Sequence, residues 1–171
     1  RTMSNNTHIH RLPQLEKTRK WFEDCSNSVK EYYDMPFEKA AITECWVNAA
    51  DVIGMYHNTH KHMLTVFSGI FYVTESNSGT MFYQKDWFVY ENEMMGFGRQ
   101  RWAQKRARGI PPIKSEFPNT PGTLIIFPAG ITHGVKAHES NTTRYTISFN
   151  TFMSGKCGDS HGAGYVELSV N

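Results

Sequence analysis

The chain has no run of apolar residues long enough to cross a bilayer. Its longest mostly apolar stretch, 63–73, is short and broken by polar residues, whereas a spanning helix needs about 20 apolar positions in succession. Nor is there an apolar run near the N-terminus of the kind a secretory leader carries. Cysteine is scarce. Cys25, Cys45 and Cys157 are odd in number and far apart, which gives neither a disulfide framework nor a zinc knuckle and points to a reducing compartment. A cytoplasmic protein with no membrane partner is expected. Charge of one sign is also missing: the net charge of +2 selects neither a polyanionic nor a cationic partner. No internal repeat and no low-complexity tract is found.

Aromatic and β-branched residues are what the chain has in quantity. Segments rich in Val, Ile, Phe, Tyr and Thr outnumber helical ones, which predicts a mainly β architecture. A chain of 171 residues can bury one substantial core, so a single domain over 1–171 is expected. Residues 1–10 are polar and aperiodic and predict a mobile arm or a short edge strand, with His8 and His10 solvated. Over 14–33, Leu15, Trp21, Phe22, Cys25, Val29 and Tyr32 recur at helical spacing, and Asp34-Met35-Pro36 ends the pattern. This helix should cover one face of a sheet. Strands are predicted at 41–49, with Trp46 in the core, and at 63–75, 80–84, 122–127, 143–152 and 165–170. Ser76-Asn77-Ser78-Gly79 reads as a hairpin turn and 154–164 as a loose Gly-rich loop.

Histidines mark the chemistry. His60 and His62 stand at i and i+2 at the mouth of the most strand-like segment, where an extended chain points both side chains to one face. Neutral imidazole is the commonest protein ligand for divalent first-row metals, so the pair can grip one ion. The best third ligand is His133, in GTLIIFPAGITHGV, a second strand that leads to a histidine. His57 is the substitute should His62 not ligate. Histidines converging from distant strands of an all-β chain suggest a metal inside a small barrel of jelly-roll or cupin-like topology.

Three blocks, HKHMLTVFSGIFYV, GTLIIFPAGITHGV and RYTISFN, occur in an order that resembles a family of iron(II)- and 2-oxoglutarate-dependent oxygenases common in bacteria, marine bacteriophages and their relatives. That family shows an HxH...SGxxYV stretch before FP...HxV and RxSxxFN. The resemblance covers roughly 42–152, apart from 85–121. It implies a double-stranded β-helix with one or two N-terminal helices packed on the sheet, Fe(II) on His60 and His133, and Arg144 pairing with the distal carboxylate of 2-oxoglutarate. An Arg fork suits bidentate carboxylate recognition. Ser148 and Tyr72 are candidates for further hydrogen bonds to that carboxylate, and Asn150 is a weaker one. The implied chemistry uses O2 and 2-oxoglutarate as cosubstrates, with hydroxylation of a C–H bond as the default outcome; a viral member would act in the host-cell cytoplasm. One departure stands out. Most enzymes of the superfamily carry HxD or HxE, giving two histidines and a carboxylate, where this chain has His62. A three-histidine dioxygenase without cosubstrate, and a metal- or ligand-binding module without turnover, are the alternatives that this departure keeps open.

Residues 85–121 are longer than an ordinary connection and predict a lid-like insertion. They hold Trp87 and Trp102, placed to line a substrate, and the stretch GRQRWAQKRARGIPPIK, with Arg99 and Arg101 among its basic residues and no acidic one. A solvated loop is the first reading of this stretch, an acidic peptide or protein substrate the second. Nucleic acid is disfavoured, although basic and aromatic residues together can form a single-strand groove. The expected substrate is a protein side chain such as proline or a small molecule. The region of Met94 and Met95, or an exposed edge strand, is a candidate homodimer surface.

Overall fold

Two long strands, β2 (Phe37–Ala50) and β9 (Arg144–Cys157), pair antiparallel along nearly their whole length and form the spine of the structure, a computed structural model that describes residues 2–83, 114–161 and 164–170. Their side chains alternate between two buried faces of different chemistry. On β9, Arg144, Thr146, Ser148 and Asn150 point to one face, while Ile147 and Phe149 point to the other, as the period of two requires. The first set lines a cavity; the second packs under a helix.

The other elements are β1 (Thr2–Met3), α1 (Glu16–Tyr32), β3 (His57–His60), β4 (Phe67–Tyr72), β5 (Ser76–Tyr83), β6 (Lys114–Asn119), β7 (Leu124–Pro128), β8 (Thr132–Val135) and β10 (Val166–Leu168). One sheet runs β1-β2-β9-β4-β7, with β10 added on β9, and the second runs β3-β8-β5-β6. From β3 onward the chain steps repeatedly from one sheet to the other, and all pairings are antiparallel. This is a double-stranded β-helix, mainly β and jelly-roll-like, with its helix on the outer face of the larger sheet.

Helix α1 is fixed there by rings and by one amide. Phe22 stacks on Phe149 at 4.6 Å and Trp21 meets Phe71 edge-on at 5.5 Å, geometries that aromatic pairs favour. Asn27 clamps the backbone of Ala40 from both sides, accepting from its N–H at 2.9 Å and donating to its carbonyl at 3.4 Å. Phe149 in turn covers Gly69 on the neighbouring strand, and a Cβ at that position would lie 2.1 Å from the ring. Two 3-10 turns, Ile9–Arg11 and Pro13–Leu15, lead into the helix.

Several expectations are corrected. Residues 76–79 are not a hairpin turn: they lie inside β5, in the other sheet from β4. Gly79 is there because β6 comes close, with the Phe117 carbonyl 2.3 Å from where a Cβ would sit, beside a register shift between Ser76 and Thr80. The strand expected over 63–75 begins only at Phe67. Leu64 is 76% exposed at a positive φ of 51°, so it belongs to a turn. Residues 154–157 continue β9 rather than loosening, and Tyr32, expected on the packed stripe of the helix, is exposed. His10 is buried rather than solvated, because residues 2–8 are tied down by β1 on β2 and by a bridge from His8 to Cys45. The lid-like span 85–121 falls mostly outside the described residues, and the second sheet resumes within it at Lys114.

Candidate metal centre

The antiparallel register of β3 and β8 sets His60 directly opposite His133, so two histidines far apart in sequence share one face of the smaller sheet. His62 lies just beyond the end of β3 and not on it as expected; its backbone N–H donates to the Ala129 carbonyl at 3.2 Å, which docks it beside the turn before β8. The ring centroids are 4.4 Å apart for His60 and His133, and 5.1 Å for each pair involving His62. One ligand nitrogen from each of the three lies within 4.8 Å of the others, a cluster that could hold a metal ion. His57 lines the same cavity but pairs with Val135 on β8 and is not one of the three.

Hydrogen bonds select which nitrogen two of these rings present. His60 Nδ1–H donates to the Asn58 carbonyl at 2.8 Å, and His133 Nδ1–H to the Ile131 carbonyl at 2.9 Å. A carbonyl only accepts, so the proton of each neutral ring sits on Nδ1 and the Nε2 lone pair is left for an ion. Burial pushes the His133 pKa down to about 3, and the nearby His60 and His62 push the same way against the Ile131 carbonyl. The ring is therefore neutral, as a ligand must be. Three imidazoles in this arrangement suit iron and its neighbours in the first transition row. The residues fit a resident divalent metal.

From the histidines a cavity of about 200 Å³ runs between the sheets to Arg144. That volume is below the range of drug-sized pockets and matches a ligand of a few heavy atoms. Arg144 is 3% exposed, and burial lowers its pKa. One guanidinium nitrogen donates to the Ser78 carbonyl at 3.3 Å, and Nε has no partner among the described residues. No Asp or Glu lines the cavity among those residues, so none of them sets a carboxylate beside this buried cation. Tyr72 lines the same end, and its hydroxyl is 2.6 Å from Thr80 Oγ1; burial raises its pKa, with Thr80 and Arg144 opposing. Ser148 also lines the cavity and accepts from Asn48 Nδ2 at 3.0 Å.

Sequence reasoning missed part of this wall. Trp46, expected in the core, lines the cavity 6.2 Å from the His62 ring and donates from Nε1 to Asn48 Oδ1 at 3.2 Å. Asn48 and Thr80 were not singled out. Asn150, weighed as a carboxylate partner, instead stands at the histidine end, 3.3 Å from His62 Nδ1. The signal was the alternation Glu44, Trp46, Asn48 along β2, whose register places these residues opposite Asn150, Ser148 and Thr146. Trp87, Trp102, Arg99 and Arg101 lie outside the described residues.

Fold and site together define a jelly-roll protein with a histidine cluster at one end of its cavity and a buried guanidinium at the other. The chain belongs to a family of 2OG-Fe(II) oxygenases, whose model matches residues 44–150, more than half of its length. No curated protein matches it. Among solved structures, a prolyl-4-hydroxylase of Pseudomonas putida is similar with a TM-score of 0.57 and 11% identity, over 90% of this chain and 71% of that one. The α-ketoglutarate-dependent epimerase SnoN of nogalamycin biosynthesis gives 0.52 at 12% identity, over 83% and 61%. HygX of Streptomyces hygroscopicus gives 0.51 at 12%, over 90% and 77%. The chain thus spans less than two thirds of SnoN, and at these identities the likeness is one of fold.

Proposed function

We propose that the protein is an Fe(II)- and 2-oxoglutarate-dependent oxygenase that hydroxylates a protein side chain such as proline, or a small molecule. The observation that carries this reading is Arg144: a guanidinium buried in a small cavity with no acidic residue on its walls among the described residues. A buried charge without a counter-ion is costly, and an anionic ligand that enters the cavity removes the cost. In this reading His60, His62 and His133 hold Fe(II) at one end of the cavity, and Arg144 takes the far carboxylate of 2-oxoglutarate at the other. Tyr72 and Ser148 flank that carboxylate with hydroxyls, and Asn48 holds Ser148 in place. Bound iron would supply O2 activation coupled to oxidation of 2-oxoglutarate to succinate. The apolar walls at Ile70 and Phe127 keep water from the space between.

The test is anaerobic titration of the apoprotein with Fe(II) and then 2-oxoglutarate, followed by the visible charge-transfer band of the chelate. The band is expected in the native protein. Arg144→Ala should raise the 2-oxoglutarate requirement roughly 100-fold, the order seen when one partner of a buried charge pair is removed, and Arg144→Lys should recover part of it. An Arg144→Ala protein that binds 2-oxoglutarate normally would refute the assignment. A second reading, a three-histidine dioxygenase needing no cosubstrate, draws on His62 in place of the usual carboxylate. It predicts iron binding with no band and O2 uptake that yields no succinate.

A further inference from the structure

The three histidines are not prepared alike. Backbone carbonyls hold the proton of His60 and His133 on Nδ1, whereas the neighbour of His62 Nδ1 is the side-chain amide of Asn150, at 3.3 Å. Two further contacts fix which way that amide points. Asn150 Nδ2 donates to Glu44 Oε2 at 3.0 Å, and Asn150 Oδ1 accepts from Ser68 Oγ at 2.9 Å. A serine hydroxyl can donate or accept, so Ser68 alone would tolerate either orientation. A carboxylate oxygen only accepts, so Glu44 demands the amide nitrogen. The same nitrogen then faces His62, where its second N–H donates to Nδ1. A neutral ring that accepts at Nδ1 carries its proton on Nε2, the opposite tautomer to its two partners.

We infer that Glu44 and Asn150 are positioning residues that latch His62 in the Nε2–H tautomer, so that its ligation is conditional while that of His60 and His133 is not. The inference rests on the metal-centre reading above. For His62 to offer Nε2 to an ion, its proton must move to Nδ1 and Asn150 must turn its amide, presenting Oδ1 to that N–H. The turn places Oδ1 against the Glu44 carboxylate, two acceptors face to face, unless Glu44 swings away. Glu44 is exposed on β2 and has room in solvent to do so. The latch thus opposes metal at the third ligand.

The test uses the full chain, without metal and then with Co(II) as the probe. In the metal-free protein the His62 tautomer is read from ring 15N–1H correlations, identified by their loss in His62→Gln. Nε2–H is expected in the native protein, and a shift toward Nδ1–H in Glu44→Gln, whose amide can serve Asn150 in either orientation, and in Glu44→Ala. Visible absorption of Co(II) should then show binding tightened about tenfold in both variants, the scale of hydrogen-bond partners behind a metal ligand. Melting curves confirm that the variants fold, which the exposure of Glu44 favours. An Nδ1–H tautomer in the native metal-free protein overturns the latch. So does Co(II) affinity that is unchanged or weakened in both variants; weakening would mean that Glu44 assists the ion by its charge. If the native protein takes up no Co(II), the metal centre itself fails, while the tautomer, read without metal, still decides the latch, so the two failures stay distinct.

Discussion

His57, His60 and His62 are close in sequence and close to one cavity, yet their positions on the chain separate them. His60 meets His133 across β3 and β8 because of register, and His62 joins them because its backbone is tied to Ala129. His57, one step of the ladder away, pairs with Val135. We therefore expect His60→Ala and His133→Ala each to abolish Co(II) uptake, and His57→Ala to leave the affinity unchanged, as measured by titration of the full chain. A loss in His57→Ala equal to that in His60→Ala would redraw the ligand set. At this scale much was legible: an imidazole pair on an extended segment and a third imidazole at a strand end announce the cluster that could hold a metal. The tautomers were not, since they depend on carbonyls and an amide that only folding brings alongside the rings.

Among the elements, the helix and the larger sheet are joined by one column: Phe22, Phe149 and the bare backbone of Gly69. Phe22 is buried almost completely, and Phe22→Ala should cost about 3–5 kcal/mol by leaving a void. Gly69→Ala should cost about 3 kcal/mol, the upper end for overpacking, because the methyl would occupy the Phe149 ring. Urea denaturation of both variants checks these figures; a neutral Gly69→Ala would mean that the ring moves aside freely. Helical spacing over 14–33 made α1 legible, and the apolar alternation made β9 legible. The supposed hairpin at 76–79 was misleading for a definite reason. Glycine and serine signal a turn when only local conformation is weighed, but here Gly79 answers a close approach by β6, a strand nearly forty residues later.

For the whole molecule, burial of neutral imidazoles links stability to pH. His133 has its pKa depressed from 6.5 to about 3 by burial, and that of His10 is lowered for the same reason. The folded state then binds fewer protons than the unfolded chain between these values, so stability is complete above about pH 6.5 and declines as pH falls toward 3. One such group contributes a slope of at most about 1.4 kcal/mol per pH unit. Urea midpoints of the metal-free protein at pH 7 and pH 5 should show the decline, and His133→Gln should make it shallower. An equal slope in that variant would remove His133 as its source. A bound divalent ion should raise the melting temperature, by mass action on the folded state. Among the described residues no helix is long and apolar enough to cross a membrane.

The amino-acid sequence by itself determined the mainly β class, the helix, the order of the motifs and the residue types available for metal and carboxylate, because periodicity and side-chain chemistry are local properties. Tertiary structure decided the rest. Which histidine faces which, whether Trp46 packs in the core or lines the cavity, and whether Asn150 serves a carboxylate or His62 all follow from register between β2, β9, β3 and β8. In a sheet with two buried faces, a shift of one residue exchanges those faces, and no single strand carries the information that sets the shift.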